Sequence, residues 1–292
     1  MGRSQEYSDF NYSHFEIWRG PIEQVIYAPY NYTHVYSLEM KYWNPVMVQI
    51  FFSKHWTTSV YIAVIYVCII HALQRYQQNR KACDLRIPLC LWNATLSVFS
   101  LVATVRFGEE FYYTLTTRPF VHSVCYSISP FQPAAAWACA FAASKVAELG
   151  DTVFLVMRKK PLIFLHWYHH AVVLIYSWNS ASELTAPGRW FIMMNFSVHS
   201  IMYTYYSITA LGIRPPKLLS MCVTVLQTFQ MLVGVMISII ALNEKLKNAI
   251  CQQSMDNLAL GFAIYSSFAV LFTRYFFDAY VKPRKLLQKK HD

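Results

Sequence analysis

The chain has 292 residues, 55% hydrophobic, 17% aromatic and only 14% charged, with a formal net charge of +10. Soluble chains carry about a quarter charged residues, so this composition excludes a water-soluble globule, and with it disorder, collagen-like repeats and coiled coil. It indicates an all-α integral membrane protein, since lipid offers backbone groups no partners outside a helix or a closed barrel.

Residues 1–56 read as an N-terminal segment; Met1–Phe10 is polar and forms no signal peptide. Seven stretches follow, each near the roughly 20 residues that a bilayer crossing needs. They lie near Thr57–Gln74, Pro88–Phe107, Ala134–Val156, Pro161–Ser180, Arg189–Leu211, Leu218–Leu242 and Asn257–Tyr280. The expected product is a seven-helix bundle over residues 57–280 that encloses a central tunnel, followed by a basic tail over 281–292. Glu109, Glu110, Arg118 and Pro119 are assigned to the long connection between the second and third spans.

Charge orients the bundle. Alternate connections and the tail carry fourteen Lys and Arg, among them Arg158, Lys159, Lys160, Arg214 and Lys217. The opposite connections carry five: Arg106, Arg118, Arg189, Lys245 and Lys247. Excess cations mark the cytosolic side, so the N-terminus is expected in the lumen and the C-terminus in the cytosol. The positive charge is thus one-sided and gives no sign of nucleic-acid binding. A luminal start makes Asn11 and Asn31 glycosylation acceptors. Lys289 and Lys290 near the C-terminus match a dilysine address for retrieval to the endoplasmic reticulum, a signal read by receptors. Of seven cysteines, only Cys125 and Cys251 fall in luminal connections, where thiols oxidise, and a disulfide between them is expected. No cysteine group has metal-site spacing.

Several spans carry residues that lipid tolerates poorly, which by default marks a functional site. The fourth holds His166, His169 and His170 on one helix face, at i, i+3 and i+4. The third holds Lys145, Glu148 and Asp151; the fifth Asn195, His199, Tyr203 and Tyr206; the sixth Thr224, Gln227 and Gln230. Counted by helical rise, these groups fall into one slab biased to the cytosolic half. A neutral imidazole there can attack a thioester and form an acyl-imidazole. Amide and hydroxyl donors can stabilise oxyanions, and Arg158, Lys159, Lys160, Arg214 and Lys217 can hold the phosphates of a soluble carrier. A structural ion pair is an equally good account of Lys145 and Glu148.

Four motifs, in order, resemble the ELO family of very-long-chain fatty acid elongases. They are Lys145-Val-Ala-Glu148-Leu-Gly-Asp151 with its downstream Arg158-Lys-Lys160, His166-Trp-Tyr-His169-His170, Asn195-Phe-Ser-Val-His199 through Tyr203 and Tyr206, and Thr224-Val-Leu-Gln227-Thr-Phe-Gln230. The resemblance runs from about Trp56 to the C-terminus. Gly150 departs from many relatives without altering a catalytic position. The resemblance implies a multi-pass enzyme of the endoplasmic reticulum that condenses acyl-CoA with malonyl-CoA to 3-oxoacyl-CoA, CO2 and free CoA, without metal or redox cofactor. It assigns His169 as nucleophile, with His166 and His170 orienting it and His199 across the chamber. It also implies the reductase, dehydratase and enoyl reductase of the elongation cycle as partners. Two other classes share features: di-iron desaturases or hydroxylases, which need further histidine boxes that this chain lacks, and seven-helix receptors or transporters, which do not need a histidine face.

Overall fold

The computed structural model describes residues 27–28, 30–41 and 43–282. Asn11, Lys289 and Lys290 lie outside them, and Asn31 is exposed. Apart from one short parallel pairing of β1 (Tyr27–Ala28) with β2 (Ser127–Ile128), the described chain is helical. The helices are α1 (Ser37–Met40), α2 (Pro45–His55), α3 (Thr58–Gln77), α4 (Arg86–Thr117), α5 (Phe120–Cys125), α6 (Pro133–Ala147), α7 (Gly150–Met157), α8 (Phe164–Glu183), α9 (Gly188–Ala210), α10 (Lys217–Leu246) and α11 (Met255–Phe276).

Four are long and apolar enough to cross a membrane: α3, α4, α10, and α11 with its π-helical extension to Val281. This is the architecture of an integral membrane helical protein. Two of the other expected spans, α8 and α9, are continuous helices of 20 and 23 residues, but they carry the histidines, tyrosines and asparagines that lower apolarity. The third expected span is two helices. Hydrogen bonds from Asp151 N–H to Glu148 O and from Thr152 N–H to Leu149 O span three residues, the tighter 3₁₀ pattern that often marks a break. The break puts Glu148 at the end of α6 and Asp151 in the first turn of α7, where a helix N-terminus favours an acid.

The segment ahead of the first span is not a bare extension. Pro45 opens α2, and the Asn44 side chain accepts a hydrogen bond from Met47 N–H, a combination that starts helices well. Its buried residues, Gln49 and Phe52, face α8, where Gln49 Nε2 donates to Ser182 O at 2.5 Å and Phe52 meets Trp178 edge-on.

Some charges assigned to connections are inside the bundle. At 32 residues α4 outruns its expected span and takes Arg106, Glu109 and Glu110 into the helix. Arg189 belongs to α9, with its guanidinium wholly buried against Glu110 at 2.9 Å. It also donates to the carbonyls of His122, Ser123, Tyr126 and Ser127. The loop-charge count took Arg106 and Arg189 for connection residues, but paired charges with satisfied donors can enter a helical core. The same end of the bundle holds the Cys125–Cys251 disulfide, which ties α5 to the α10–α11 link. At the opposite end, Cys83 N–H donates to Met157 O, and Lys159 Nζ to the carbonyls of Gln78 and Arg80.

Glu39 of α1 clamps the N-terminal segment to α4 through Arg106, at 2.7 and 2.8 Å, and receives the Trp137 indole N–H. Burial alone pushes the Glu39 carboxyl up, but hydrogen bonds from Arg106, Trp137 and the Tyr36 backbone, with the attraction of Arg106, hold it below its usual range. The clamp is therefore complete above the ordinary glutamate value of about 4.3 and weakens as pH falls below it through the depressed folded value. Proteolysis around residues 30–41 should accelerate on that acidification, and a Glu39→Gln protein should be cut quickly at neutral pH. Arg189→Met, which strands Glu110 in the core, should destabilise the protein by about 3–5 kcal/mol; much of the loss should return in Arg189→Met/Glu110→Gln, read by thermal unfolding in detergent.

Candidate active site

The first two turns of α8 present His166, His169 and His170 to one chamber, and His199 of α9 faces the same space. The His166 and His170 ring centroids are 4.5 Å apart, those of His169 and His170 5.6 Å. His169 packs against the rings of Phe268 and Phe272 on α11, at 4.8 and 5.9 Å. His166 Nε2 lies 3.0 Å from Thr152 Oγ1, which in turn lies 2.7 Å from the Tyr66 hydroxyl. Three helices thus fix one ring.

A second network sets His199. Lys145 Nζ donates to Glu148 Oε1 at 2.7 Å and to Asn195 Oδ1 at 2.8 Å. Because an ammonium only donates, the Asn195 oxygen faces it, and Asn195 Nδ2 faces His199 Nε2 at 3.1 Å. Nε2 therefore accepts, and the ring proton belongs on Nδ1, the nitrogen 3.8 Å from Glu148 Oε1. Lys145 and Glu148 are 3% and 4% exposed and stand behind the chamber wall; their contact with the site runs through Asn195 and His199. The two residues do form an ion pair, at 2.7 Å.

Asp151 reaches the chamber directly, accepting from Trp92 Nε1 at 2.6 Å and from the Tyr203 hydroxyl at 2.7 Å. Gly150 makes this possible: a Cβ there would stand 2.8 Å from the Trp92 ring. Tyr206, Thr224, Gln227 and Gln230 complete the wall. Of the five candidate phosphate-binding cations, Arg158 and Lys160 line the chamber. Lys159 is turned away by its bonds to the α3–α4 link, and Arg214 and Lys217 lie outside the lining. Sequence spacing put five cations near one mouth, but the turn after α7 splits adjacent lysines between two directions.

A second chamber adjoins the first. It is mostly apolar and lined by Asn195, Val173, Tyr176, Phe191, Tyr265 and Phe268, among others, and by Trp43, Pro45, Val48, Gln49 and Phe52 of the N-terminal segment. Two residues line both chambers, His169 and Gln230. Among the described residues, no group of three or more His, Cys, Asp or Glu side chains is placed to hold a metal ion.

Thr152, Tyr66 and Trp92 did not stand out in the sequence. Thr152 adjoins Asp151 and so was within a motif; Tyr66 and Trp92 sit on apolar spans, where one aromatic looks like any packing residue.

Residues 51–288 match the family described as ELO: GNS1/SUR4 family. The chain belongs to it. The whole four-motif set lies inside the matched region. Very long chain fatty acid elongase 6 of Drosophila melanogaster is 42% identical over 258 residues, 87% of this chain and 81% of the relative. Very long chain fatty acid elongase 3 of Homo sapiens is 39% identical over 235 residues, 80% and 87% of the two chains. Very long chain fatty acid elongase 6 of Mus musculus is 39% identical over 230 residues, 78% and 86%.

If the Tyr66–Thr152 pair holds His166 in this ELO chain, Thr152→Val should free the ring and raise its modification by diethyl pyrocarbonate. Thr152→Ser should restore protection, with peptide mass spectrometry comparing His166 against His71 in each protein.

Proposed function

We propose that this ELO-family protein condenses a long-chain acyl-CoA with malonyl-CoA, in the elongation of very long chain fatty acids for which its relatives are named. The observation that carries the reading is the position of His169 at the junction of two chambers. One has Arg158 and Lys160 for the phosphates of CoA, and the other has the apolar length for a fatty tail. A thioester spanning the two places its carbonyl at His169.

His169 then attacks that carbonyl. The new C–N bond replaces the C–S bond, CoA leaves as thiolate, and the imidazole proton passes to it, giving free CoA and a neutral acyl-imidazole. Malonyl-CoA follows into the polar chamber and loses CO2, its C–C bonding electrons forming the enolate of a two-carbon thioester. Enolate carbon attacks the acyl-imidazole, the C–N bond breaks, and the ring recovers a proton from solvent. One proton is consumed overall, and loss of CO2 drives the sequence forward. Gln230 brings a carboxamide to the junction as an oxyanion donor. His199, held with its proton on Nδ1, presents a neutral polar ring to the malonyl thioester. His166 and His170 orient the nucleophile. This chemistry needs no cofactor beyond the two CoA substrates.

The same reading makes seven crossings of α3, α4, α6 with α7, α8, α9, α10 and α11, with the N-terminus in the lumen and the C-terminus in the cytosol. It places the protein in the endoplasmic reticulum, with Asn11 and Asn31 open to glycosylation and Lys289–Lys290 as retrieval signal. Its 3-oxoacyl-CoA product would pass to reductase, dehydratase and enoyl reductase partners. Basic residues Arg158 and Lys160 at the polar mouth suit the side on which soluble CoA esters arrive.

Purified protein given acyl-CoA alone should release free CoA in an amount close to one equivalent and retain the acyl group on His169, found by peptide mass spectrometry. His169→Ala should lose both this half-reaction and condensation while keeping its thermal transition. Turnover by folded His169→Ala protein would remove the covalent assignment.

A further inference from the structure

We propose that α2 and Trp43, at the far end of the apolar chamber, set the length of acyl chain that this protein extends. The inference rests on the condensation reading and adds the element that discriminates among its substrates.

Pro45, Val48, Gln49 and Phe52 are spaced i, i+3, i+4 and i+7, one helical face, and that face lines the chamber. The residues between them point away: Met47 is 68% exposed and Phe51 47%. Gln49 is 4% exposed, with its amide fixed on Ser182 O. Just before α2, Trp43 also lines the chamber, its indole N–H donating at 2.8 Å to the carbonyl of Pro130, another lining residue. This wall is thus built from ordered side chains and held in place by bonds to α8 and to the β2–α6 link.

The distance suits a fatty tail. The lining follows α8 from His169 to Leu184, roughly 22 Å at the helical rise. An extended chain advances about 1.2 Å per bond; α2 packs on α8 at Trp178 and Ser182, so a tail anchored at His169 meets α2 after about 11–16 bonds and reaches the end of the lining after about 18. The chamber's middle wall is less suited to discriminate by length. Tyr176, Phe191 and Tyr265 pack on one another, and the chamber continues past them to Trp43. Most of the end wall also lies ahead of the family match, which begins at residue 51. The family-matched region supplies the histidines, whereas Trp43, Pro45, Val48 and Gln49 come from sequence beyond it. The reaction and its chain-length limit would therefore reside in different parts of one polypeptide.

Two experiments on the full-length protein test this. In the first, kcat/KM is measured across a panel of saturated acyl-CoA lengths with radiolabelled malonyl-CoA for wild type, Val48→Phe and Gln49→Ala. Val48→Phe fills the end of the chamber and should lower the long-to-short ratio about ten-fold, the scale on which a pocket discriminates a methylene. Gln49→Ala should move the ratio the other way. In the second, wild-type protein is photolysed with a long-chain acyl-CoA carrying a terminal diazirine, and label should map to residues 43–52. An active wild type whose label falls only on α10 or α11, or whose length profile neither active variant moves, overturns the assignment to α2 and leaves condensation standing. A wild type that condenses no acyl-CoA overturns the condensation reading and this inference with it.

Discussion

A polar group placed between helices in hydrocarbon has no water to answer it, so its partner has to come from another part of the chain. Much of this structure is the working out of that requirement. Lys145 answers Glu148 on its own helix and Asn195 on α9, and Asn195 then answers His199. Asp151 is answered by Trp92 and Tyr203, and His166 by Thr152 with Tyr66 behind it. These bonds join α3, α4, α6, α7, α8 and α9 around one space. The networks that make the polar residues tolerable also aim them.

Such a bundle divides its labour among its helices. The four that are long and apolar enough to cross a membrane leave much of their surface exposed and form a frame. The helices that carry most of the buried polar residues around the histidines, α6 with α7, α8 and α9, are shorter, broken or more polar, and gain their place by packing within that frame. The 3₁₀ turn between α6 and α7 lets Glu148 serve His199 from behind while Asp151, three residues on, enters the chamber. An unbroken helix would have set these two acids about 60° apart on one face of a single axis, with no freedom to meet different helices at different depths.

Buried charge elsewhere has a different use. Arg189 and Glu110 pair far along α9 and α4 from the histidines, and Arg189 also donates to the carbonyls of the α5 region. With the Cys125–Cys251 bridge, they fasten the end of the bundle where the apolar chamber stops. An end fixed this firmly gives the apolar chamber a definite length, which a fluid array of helices would not.

Sequence alone was enough to read the membrane class, the histidine face of α8, the four motifs and the family they indicate. It also paired Cys125 with Cys251. Each of these depends on composition, on spacing along one helix, or on the side of the membrane to which a connection is assigned, and such properties are local or nearly so. The break in the third span, the entry of Arg106 and Arg189 into the core, the separation of Lys159 from Lys160, and the contacts of Tyr66, Trp92 and α2 were decided only in three dimensions. Each turns on which side chain from a distant helix arrives within hydrogen-bond reach. That is a property of packing, and residues as ordinary as one tyrosine or one tryptophan in an apolar span carry no mark of it in their own neighbourhood.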